Sequence, residues 1–245
     1  FYSILGYDVY IPLLQGHGLE KPEGMDGVTL KEWKGNVRFA IKKARERADS
    51  VSIGGLSMGG ALAFNLGCFG QDINGGVYLF AAAFGLDPGC FPLVGKVKEW
   101  LLRLPFISFL EPNRSLIGEN PYRYNRVSIN SAVELARLMV ENDKMLHEIE
   151  KGRAVGKGFF SAWSESDDVV DTEALERLGN VLPETDHVAF IIPKEHEVDH
   201  ACLVWKKSVF AISVRPGDKP LEQANPLFRE MVGAISRCDS HDDFA

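Results

Sequence analysis

Residues 51–60 read VSIGGLSMGG, and this stretch decides the fold class. Its core, residues 55–59, has the form G-x-S-x-G, in which a strand ends in a sharp turn and a helix begins at once. We expect the serine at the turn, Ser57, to adopt a strained backbone conformation that exposes its hydroxyl. Glycines two residues before and two residues after it are expected because side chains there would collide with the crossing strand and helix.

The residues on either side of this turn favour the same interpretation. Residues 50–53 form a short β-branched run, which is typical of a buried strand. Residues 61–66 have the composition of a tightly packed helix that ends at Gly67. The alternative is a glycine-rich turn that cradles a phosphate, but no P-loop lysine follows and the G-x-G-x-x-G pattern is absent.

Length and composition limit the classes of protein to consider. A chain of 245 residues, 45% hydrophobic, suits one α/β domain with an insertion or a small cap. The net charge of −7 and the lack of a basic tract make nucleic acid and anionic membranes poor candidates for partners. No apolar run reaches the length needed to cross a bilayer, so we expect no transmembrane segment.

The cysteines and the first residue bear on the cellular compartment. The four cysteines are scattered without metal-binding or C-x-x-C spacing, which favours buried or half-buried thiols. The chain begins with Phe1 in the middle of an apolar pattern, which predicts a fragment that lacks upstream strands and any leader. A cytoplasmic location is the expectation that remains.

The first third of the chain alternates strands and helices. A strand is predicted at residues 7–14, followed by a glycine-rich loop at 15–27 and a helix over 30–47 that Thr29 caps. The strand and helix around Ser57 come next, and another buried strand follows at residues 76–83. This alternation predicts a mostly parallel sheet with helices on both faces.

The alternation stops at Gly85 and resumes near Gly156. We interpret residues 85–155 as a helical cap or lid insertion, and residues 1–84 and 156–245 as the core domain. The cap contains an aromatic and leucine-rich piece at 100–110 and a helix over about 131–151. Its apolar side chains are expected either to line an acyl or alkyl pocket or to bury the cap on the sheet.

The last third of the chain returns to the α/β pattern. A strand is predicted at 156–163, followed by an acidic loop at 164–171 and a helix at 172–178. A second strand at 187–193, a loop with two histidines at 194–201 and a closing helix at 226–237 come next. A serine, an acidic loop and a histidine loop therefore each follow a strand, in that order along the chain. That order is the one in which serine hydrolases on an open α/β sheet present nucleophile, acid and base.

On these motifs the chain resembles an α/β-hydrolase of the carboxylesterase and monoacylglycerol-lipase type, a group often labelled serine aminopeptidase-like. The resemblance covers nearly the whole chain, although the cap matches only in position. The matching features are Gly16-His17-Gly18, Trp33, residues 55–60, Ser166-Asp167-Asp168-Val169-Val170 and His200. The resemblance implies the α/β-hydrolase fold and catalysis by a serine, a histidine and an aspartate.

Asp167 and His200 are the candidates that we choose as acid and base. Asp167 stands before Val169 and Val170 at a strand end, where the resemblance places the acid, and its rivals are Asp168, Glu165 and Asp171. His200 lies just past the last strand, and His196 in the same loop is the runner-up. The remaining histidines are interpreted as structural or surface residues: His17, His147, His187 and His241.

The transition state of an acyl transfer also needs donors to its oxyanion. The amide of Met58, at a helix N-terminus next to the serine, is the predicted first donor. The resemblance implies that the second donor comes from a His-Gly loop upstream of Phe1, and it places Gly16-His17-Gly18 in a later loop.

Residues 196–200 read HEVDH, which also fits the zinc-protease pattern H-E-x-x-H. That chemistry requires a helix, so that both imidazoles lie on one face. Here the five residues follow Pro193 directly after a predicted strand, and no long amphipathic helix surrounds them. We therefore expect neither zinc nor any other cofactor.

The sequence thus predicts a serine hydrolase that cleaves carboxylic esters, either short- to medium-chain acyl esters or a monoacylglycerol. An amide- or peptide-cleaving enzyme and an acyltransferase remain alternatives, because a fold does not fix its substrate. A noncatalytic, hydrolase-like binding module is the alternative from a different class. The sequence makes no prediction about the oligomeric state of the protein.

Overall fold

The computed structural model describes residues 6–19, 22–85, 128–208, 220 and 223–239. The described residues form one four-stranded sheet, in which sequence order and spatial order coincide and every neighbouring pair is parallel. The strands are β1 (Ile53–Leu56), β2 (Val77–Phe80), β3 (Phe159–Ser164) and β4 (His187–Ile192). The α-helices are α1 (Leu30–Arg45), α2 (Met58–Gly67), α3 (Ile129–Glu150), α4 (Thr172–Val181) and α5 (Phe228–Asp239).

The register brings the carboxyl ends of all four strands to one edge of the sheet. Leu56 pairs with Phe80, and Phe80 pairs with Ala162. The last residues of β3 and β4, Ser164 and Ile192, also pair with each other. Loops that follow these strands therefore converge at this edge, which is where open parallel sheets bind their ligands.

Helix α1 begins at a capping box that the sequence encodes. The Thr29 side chain accepts a hydrogen bond from the Glu32 N–H, and the Glu32 carboxylate accepts one from the Thr29 N–H at 2.8 Å. These two bonds pair backbone donors that a helix start otherwise leaves without partners. The Thr29 cap is thus confirmed, and the helix ends two residues earlier than predicted.

The helices cover both faces of the central strands. Every residue of β2 and β3 is buried, which requires packing on each face because successive side chains point to opposite sides. Helix α2 packs on β1 and β2 and contacts α1 and α3, while α5 packs on β3 and β4. The parallel sheet and its α/β pattern are confirmed, and β4 ends one residue before its predicted end. Strand β2 occupies only half of the predicted residues 76–83, and α4 ends three residues later than predicted.

Helix α3 packs into the same layer as α1 and α2. Its Leu138, Leu146 and Ile149 belong to the main hydrophobic core. Buried Asn142 donates a hydrogen bond of 2.9 Å to the Ala61 carbonyl of α2. The division of the chain into a core and a cap at 85–155 stays a prediction, and this packing favours assigning α3 to the core. The aromatic piece at 100–110 lies outside the described residues.

Two strand predictions differ from the structure. No strand forms over residues 7–14, where Ile11 and Leu13 are largely exposed, because no described strand offers a partner for the backbone hydrogen bonds. The strand before the serine spans Ile53–Leu56 rather than residues 50–53. The extended ladder with β2 carries this strand through Gly54 and Gly55, although glycine has low strand propensity.

Within the described ranges, no helix combines the length and apolarity required to cross a membrane. Cys68 and Cys202 are both buried, as predicted, and neither forms a disulfide. Burial raises the pKa of the Cys68 thiol to about 12, so this thiol is protonated at neutral pH. It is therefore a core side chain rather than a reactive one.

Candidate active site

Ser57 occupies a sharp turn between β1 and α2. Its backbone has φ 55° and ψ −121°, a conformation that residues other than glycine rarely adopt. Its N–H donates to the Phe80 carbonyl at 2.9 Å, and its carbonyl accepts from the Ala61 and Ala83 N–H groups at 3.0 and 3.1 Å. The sheet and the helix thus fix the strained residue from both sides.

The glycines around Ser57 have unequal roles. A Cβ at position 55 would lie 2.2 Å from the backbone of Gly59, so the strand and helix cross too closely for any side chain there. A Cβ at Gly59 would meet no described atom within 4 Å, whereas one at Gly60 would lie 2.7 Å from the Ala82 Cβ. The expectation of a steric collision is therefore correct for Gly55 and wrong for Gly59. The second crowded position is Gly60.

The Met58 amide lies at the N-terminus of α2, directly after Ser57. Helix α2 begins at Met58, so this N–H belongs to the first turn and has no acceptor within the helix. The aligned peptide dipoles of α2 add partial positive charge at the same point. The position next to Ser57 can therefore stabilise negative charge, which is the role predicted for Met58.

Asp167 and His200 lie together at the carboxyl edge. The distance from His200 Nδ1 to Asp167 Oδ2 is 2.7 Å, within the range of a charge-assisted hydrogen bond. The Asp167 side chain is 1% exposed and that of His200 is 12% exposed, so water screens this pair poorly. The structure thus brings together the two residues that the sequence predicted as acid and base.

The second carboxylate oxygen of Asp167 is also held. Oδ1 accepts hydrogen bonds from the backbone N–H groups of Val169 and Val170 at 2.9 and 3.1 Å. Three donors therefore orient the carboxylate, and Oδ2 is directed at the imidazole. The sequence pattern around Val169 and Val170 thus has a geometric reason, because the turn after Asp167 supplies both amides.

The rival acidic residues contact other groups. Glu165 accepts a hydrogen bond from the Lys194 N–H at 3.0 Å, and Asp171 caps α4 by accepting from the Glu173 N–H at 3.0 Å. Asp168 is exposed. None of the three is within hydrogen-bond distance of a histidine in the described parts of the chain, which favours Asp167 over its rivals.

The backbone of residues 196–200 does not form the helix that the zinc pattern needs. His196 ends a short 3-10 turn, and His200 begins a second one. Between them, Glu197 has φ 47° and ψ 42°, a left-handed conformation that ends the first turn. The two imidazoles therefore do not lie one turn apart on a helix. Across the ranges that the structure describes, no cluster of metal-binding side chains is found.

The other histidines have separate environments. His187, in β4, has Nε2 2.6 Å from Ser161 Oγ, and burial lowers its pKa to about 4, so the ring is neutral at pH 7. His147 lies 3.0 Å from Glu150 on an exposed side of α3. His17 makes an edge contact with Trp33, whose Nε1 donates to the Gln15 carbonyl at 3.0 Å.

Ser57 and His200 follow different strands at the same edge, but no hydrogen bond joins them. The His200 Nε2 atom is buried and has no hydrogen-bond partner among the described residues. This nitrogen is the one that faces away from Asp167, and it is the atom that would accept a proton from a serine hydroxyl. An orphaned buried nitrogen on a ring already held by a carboxylate is unusual, because buried polar atoms normally find partners.

Sequence reasoning missed the contacts that hold the histidine loop. Ser166 Oγ donates to the Lys194 carbonyl at 3.1 Å. The loop that contains Asp167 is therefore hydrogen-bonded to the first residue of the loop that contains His200. At the other end, Asn225 Nδ2 donates to the Leu203 carbonyl at 2.8 Å. An asparagine directly before a predicted helix is a known capping signal, which could have identified Asn225.

Comparison with known proteins gives a family and several relatives. A family model described as "Serine aminopeptidase, S33" matches residues 4–198. A thermostable monoacylglycerol lipase of Bacillus sp. (strain H-257) is 28% identical over 160 residues, which are 60% of this chain and 57% of the lipase. The match thus spans less than two thirds of that relative.

Solved structures share the fold at lower identity. A soluble variant of monoglyceride lipase from Saccharomyces cerevisiae has a TM-score of 0.60 at 16% identity, with 93% of this chain and 76% of that chain covered. A monoacylglycerol lipase of Paleococcus ferrophilus has a TM-score of 0.56 at 14% identity, with 87% and 76% covered. These similarities, together with the parallel sheet, confirm the α/β-hydrolase fold.

Proposed function

Since the chain belongs to the serine aminopeptidase S33 family, we propose that it is a serine hydrolase that cleaves carboxylic esters through Ser57, His200 and Asp167. The observation that carries the proposal is the His200–Asp167 pair, 2.7 Å apart, whose outer nitrogen is buried and without a partner. Such an imidazole is oriented by its acid and keeps one nitrogen available for a proton.

The sheet geometry supports a relay from Asp167 to Ser57. The strand before Ser57, β1, is separated from β3 by β2 alone, which corresponds to about 10 Å at the usual spacing of strands. A carboxylate, an imidazole and a serine hydroxyl in a line span a distance of this order. The seven residues 193–199 can extend over about 23 Å, so the loop that carries His200 has ample reach.

The proposed reaction uses each of these groups in turn. Ser57 Oγ attacks the ester carbonyl while His200 Nε2 takes its proton, and the Met58 N–H donates to the oxyanion that forms. The C–O bond to the alcohol then breaks, and His200 returns the proton to the leaving alcohol. Water attacks the acyl-enzyme with the same base, which regenerates the Ser57 hydroxyl. Asp167 keeps the ring oriented and stabilises its protonated form.

The names of the relatives support a proposal for the substrate class. The curated relative and two of the structural neighbours are named as lipases of monoacylglycerols. We therefore propose short- to medium-chain acyl esters or a monoacylglycerol as substrates. The reaction needs no metal or organic cofactor, because nucleophile, base and oxyanion donor are all groups of the chain itself.

The test combines a covalent probe with ester hydrolysis. Purified protein is incubated with a fluorophosphonate and assayed with p-nitrophenyl esters of increasing acyl length. We expect labelling at Ser57 and hydrolysis of at least the short esters, both abolished in Ser57→Ala and reduced by about 10⁴-fold or more in His200→Ala. Asp168→Asn is the matched control for Asp167→Asn, because only Asp167 contacts the imidazole.

Two results would refute the proposal. Folded protein that neither reacts with the probe nor hydrolyses any ester would favour a noncatalytic binding module. Equal activity of Asp167→Asn and Asp168→Asn would mean that Asp167 does not orient the base. Hydrolysis of amides in preference to esters would retain the three residues but replace the substrate class.

A further inference from the structure

Asn225 lies three residues before the first residue of α5 and is 3% exposed. Its side chain makes two hydrogen bonds in opposite directions. Nδ2 donates to the Leu203 carbonyl at 2.8 Å, and Oδ1 accepts from the Leu227 N–H at 2.9 Å. In addition, its backbone N–H donates to the Trp205 carbonyl at 2.9 Å. One buried residue therefore ties residues 203–205 to the turn that leads into α5.

The segment tied in this way is the one that carries His200. Residues 200–204 form a short 3-10 helix, and two of its side chains, Cys202 and Leu203, are buried in the hydrophobic core. Short 3-10 helices have poor internal hydrogen-bond geometry, so they depend on outside contacts for a defined position. The Leu203 carbonyl faces Asn225 rather than solvent, so the Asn225 amide is one such contact.

We propose that Asn225 is a positioning residue for His200, an inference that rests on the proposed function. By holding the carbonyl of Leu203, it sets the rotation and height of the 3-10 helix. His200 Nδ1 then contacts Asp167, while Nε2 stays in the position in which it accepts the proton of the serine hydroxyl. Asn225 touches none of the reacting atoms, so it acts only through the placement of the imidazole. A misplacement of about 1 Å can lower turnover by about 100-fold.

Two substitutions separate this role from plain stabilisation of α5. Asn225→Asp retains an oxygen that accepts the Leu227 N–H, and aspartate forms the same side-chain turn to the N–H two residues on as asparagine does. It replaces the donor to Leu203 with a second oxygen, which repels the carbonyl. Asn225→Ala removes both bonds. A role restricted to α5 would therefore spare Asn225→Asp, whereas a positioning role would not.

Asn74 provides a control at the opposite end of the sheet. Its Nδ2 donates to the Asp49 carbonyl at 2.8 Å and its Oδ1 accepts from the Val51 N–H at 2.9 Å, the same pair of bond types as in Asn225. Asn74 differs in being exposed and in accepting a further bond from Arg45 at 3.0 Å. It lies before β2, and its partners Asp49 and Val51 lie before β1, at the amino end of the sheet and opposite the candidate site. Asn74→Asp and Asn74→Ala thus test the loss of the same two bond types at an exposed position far from His200.

The experiment measures kcat and KM for p-nitrophenyl butyrate per mole of active sites, which are counted by fluorophosphonate titration. Counting active sites removes the effect of any unfolded fraction. We expect kcat to fall at least about tenfold in both Asn225 variants with KM unchanged, and both Asn74 variants to stay within about twofold of wild type. Reaction with the fluorophosphonate should slow in parallel, because it needs the same base.

Wild-type kcat in Asn225→Asp would overturn the inference. So would a loss of cooperative unfolding in both Asn225 variants, because it would assign the residue to folding alone. An active wild type with unaffected Asn225 variants refutes only this inference. An inactive wild type whose Ser57 is not labelled refutes the proposed function itself.

Discussion

His187 should make the fold sensitive to acid although it plays no part in the proposed chemistry. Burial lowers its pKa to about 4, from an ordinary value of 6.5. The unfolded chain therefore binds a proton more readily than the folded one between these values. Stability from this residue is complete above about pH 6.5 and is lost as the pH falls toward 4.

The size of the effect follows from the two pKa values. At pH 5 the protonated form outweighs the neutral form by about 30-fold in the unfolded chain, and it is a minor species in the folded one. The free energy of unfolding should therefore decrease by about 2 kcal/mol between pH 7 and pH 5 on account of His187 alone. The full shift of the pKa sets an upper limit of about 3 kcal/mol.

Urea unfolding at pH 7, 6 and 5 measures this contribution. His187→Gln keeps a neutral polar group near Ser161 Oγ but cannot titrate, so its loss of stability over this range should be smaller than that of wild type by about 2 kcal/mol. His147→Gln, at an exposed histidine of α3, is the control and should retain nearly the wild-type slope. Parallel slopes for wild type and His187→Gln would refute the reasoning.

Two further predictions concern packing and helix termination. Gly60→Ala should lower the free energy of unfolding by about 1–3 kcal/mol because its Cβ would meet Ala82, whereas Gly59→Ala should be neutral or stabilising. Urea unfolding of both variants measures the difference. A greater loss of stability in Gly59→Ala than in Gly60→Ala would contradict the geometry. Lys157 Nζ donates to three carbonyls near the end of α2, at 2.7, 2.7 and 2.8 Å. Lys157→Met should therefore lower the free energy of unfolding by about 2 kcal/mol, measured by thermal or urea unfolding. Unchanged stability would mean that water satisfies these carbonyls without cost.

Sequence periodicity predicted most elements because their signals are local. Helix α1 has a cap at Thr29 and apolar residues at helical spacing, and β2 is a continuous apolar run. Residues 7–14 have the same apolar character, yet a strand exists only where a neighbouring strand pairs with it. Pairing is a property of the tertiary structure, so composition alone could not reveal that no described strand pairs with these residues.

The candidate site was predictable in its residue types but not in its supports. The order of serine, acid and histidine after successive strands indicated Ser57, Asp167 and His200, and the structure pairs the last two. The crowding at Gly60 and the bond from Asn225 to Leu203 depend on how segments far apart in sequence cross. No local pattern encodes such crossings, and only the packed chain shows them.

The loop at residues 196–200 shows how backbone conformation decides between two chemistries with the same side chains. A metal site of the H-E-x-x-H kind needs both histidines one turn apart on a helix. The left-handed conformation of Glu197 interrupts that turn. His200 starts a new 3-10 helix, and its ring faces Asp167. To place both imidazoles on one helix, the loop would have to rewind around Glu197 and His200 would have to leave Asp167. The contacts of His200 therefore favour a proton-transfer role over a metal-binding one.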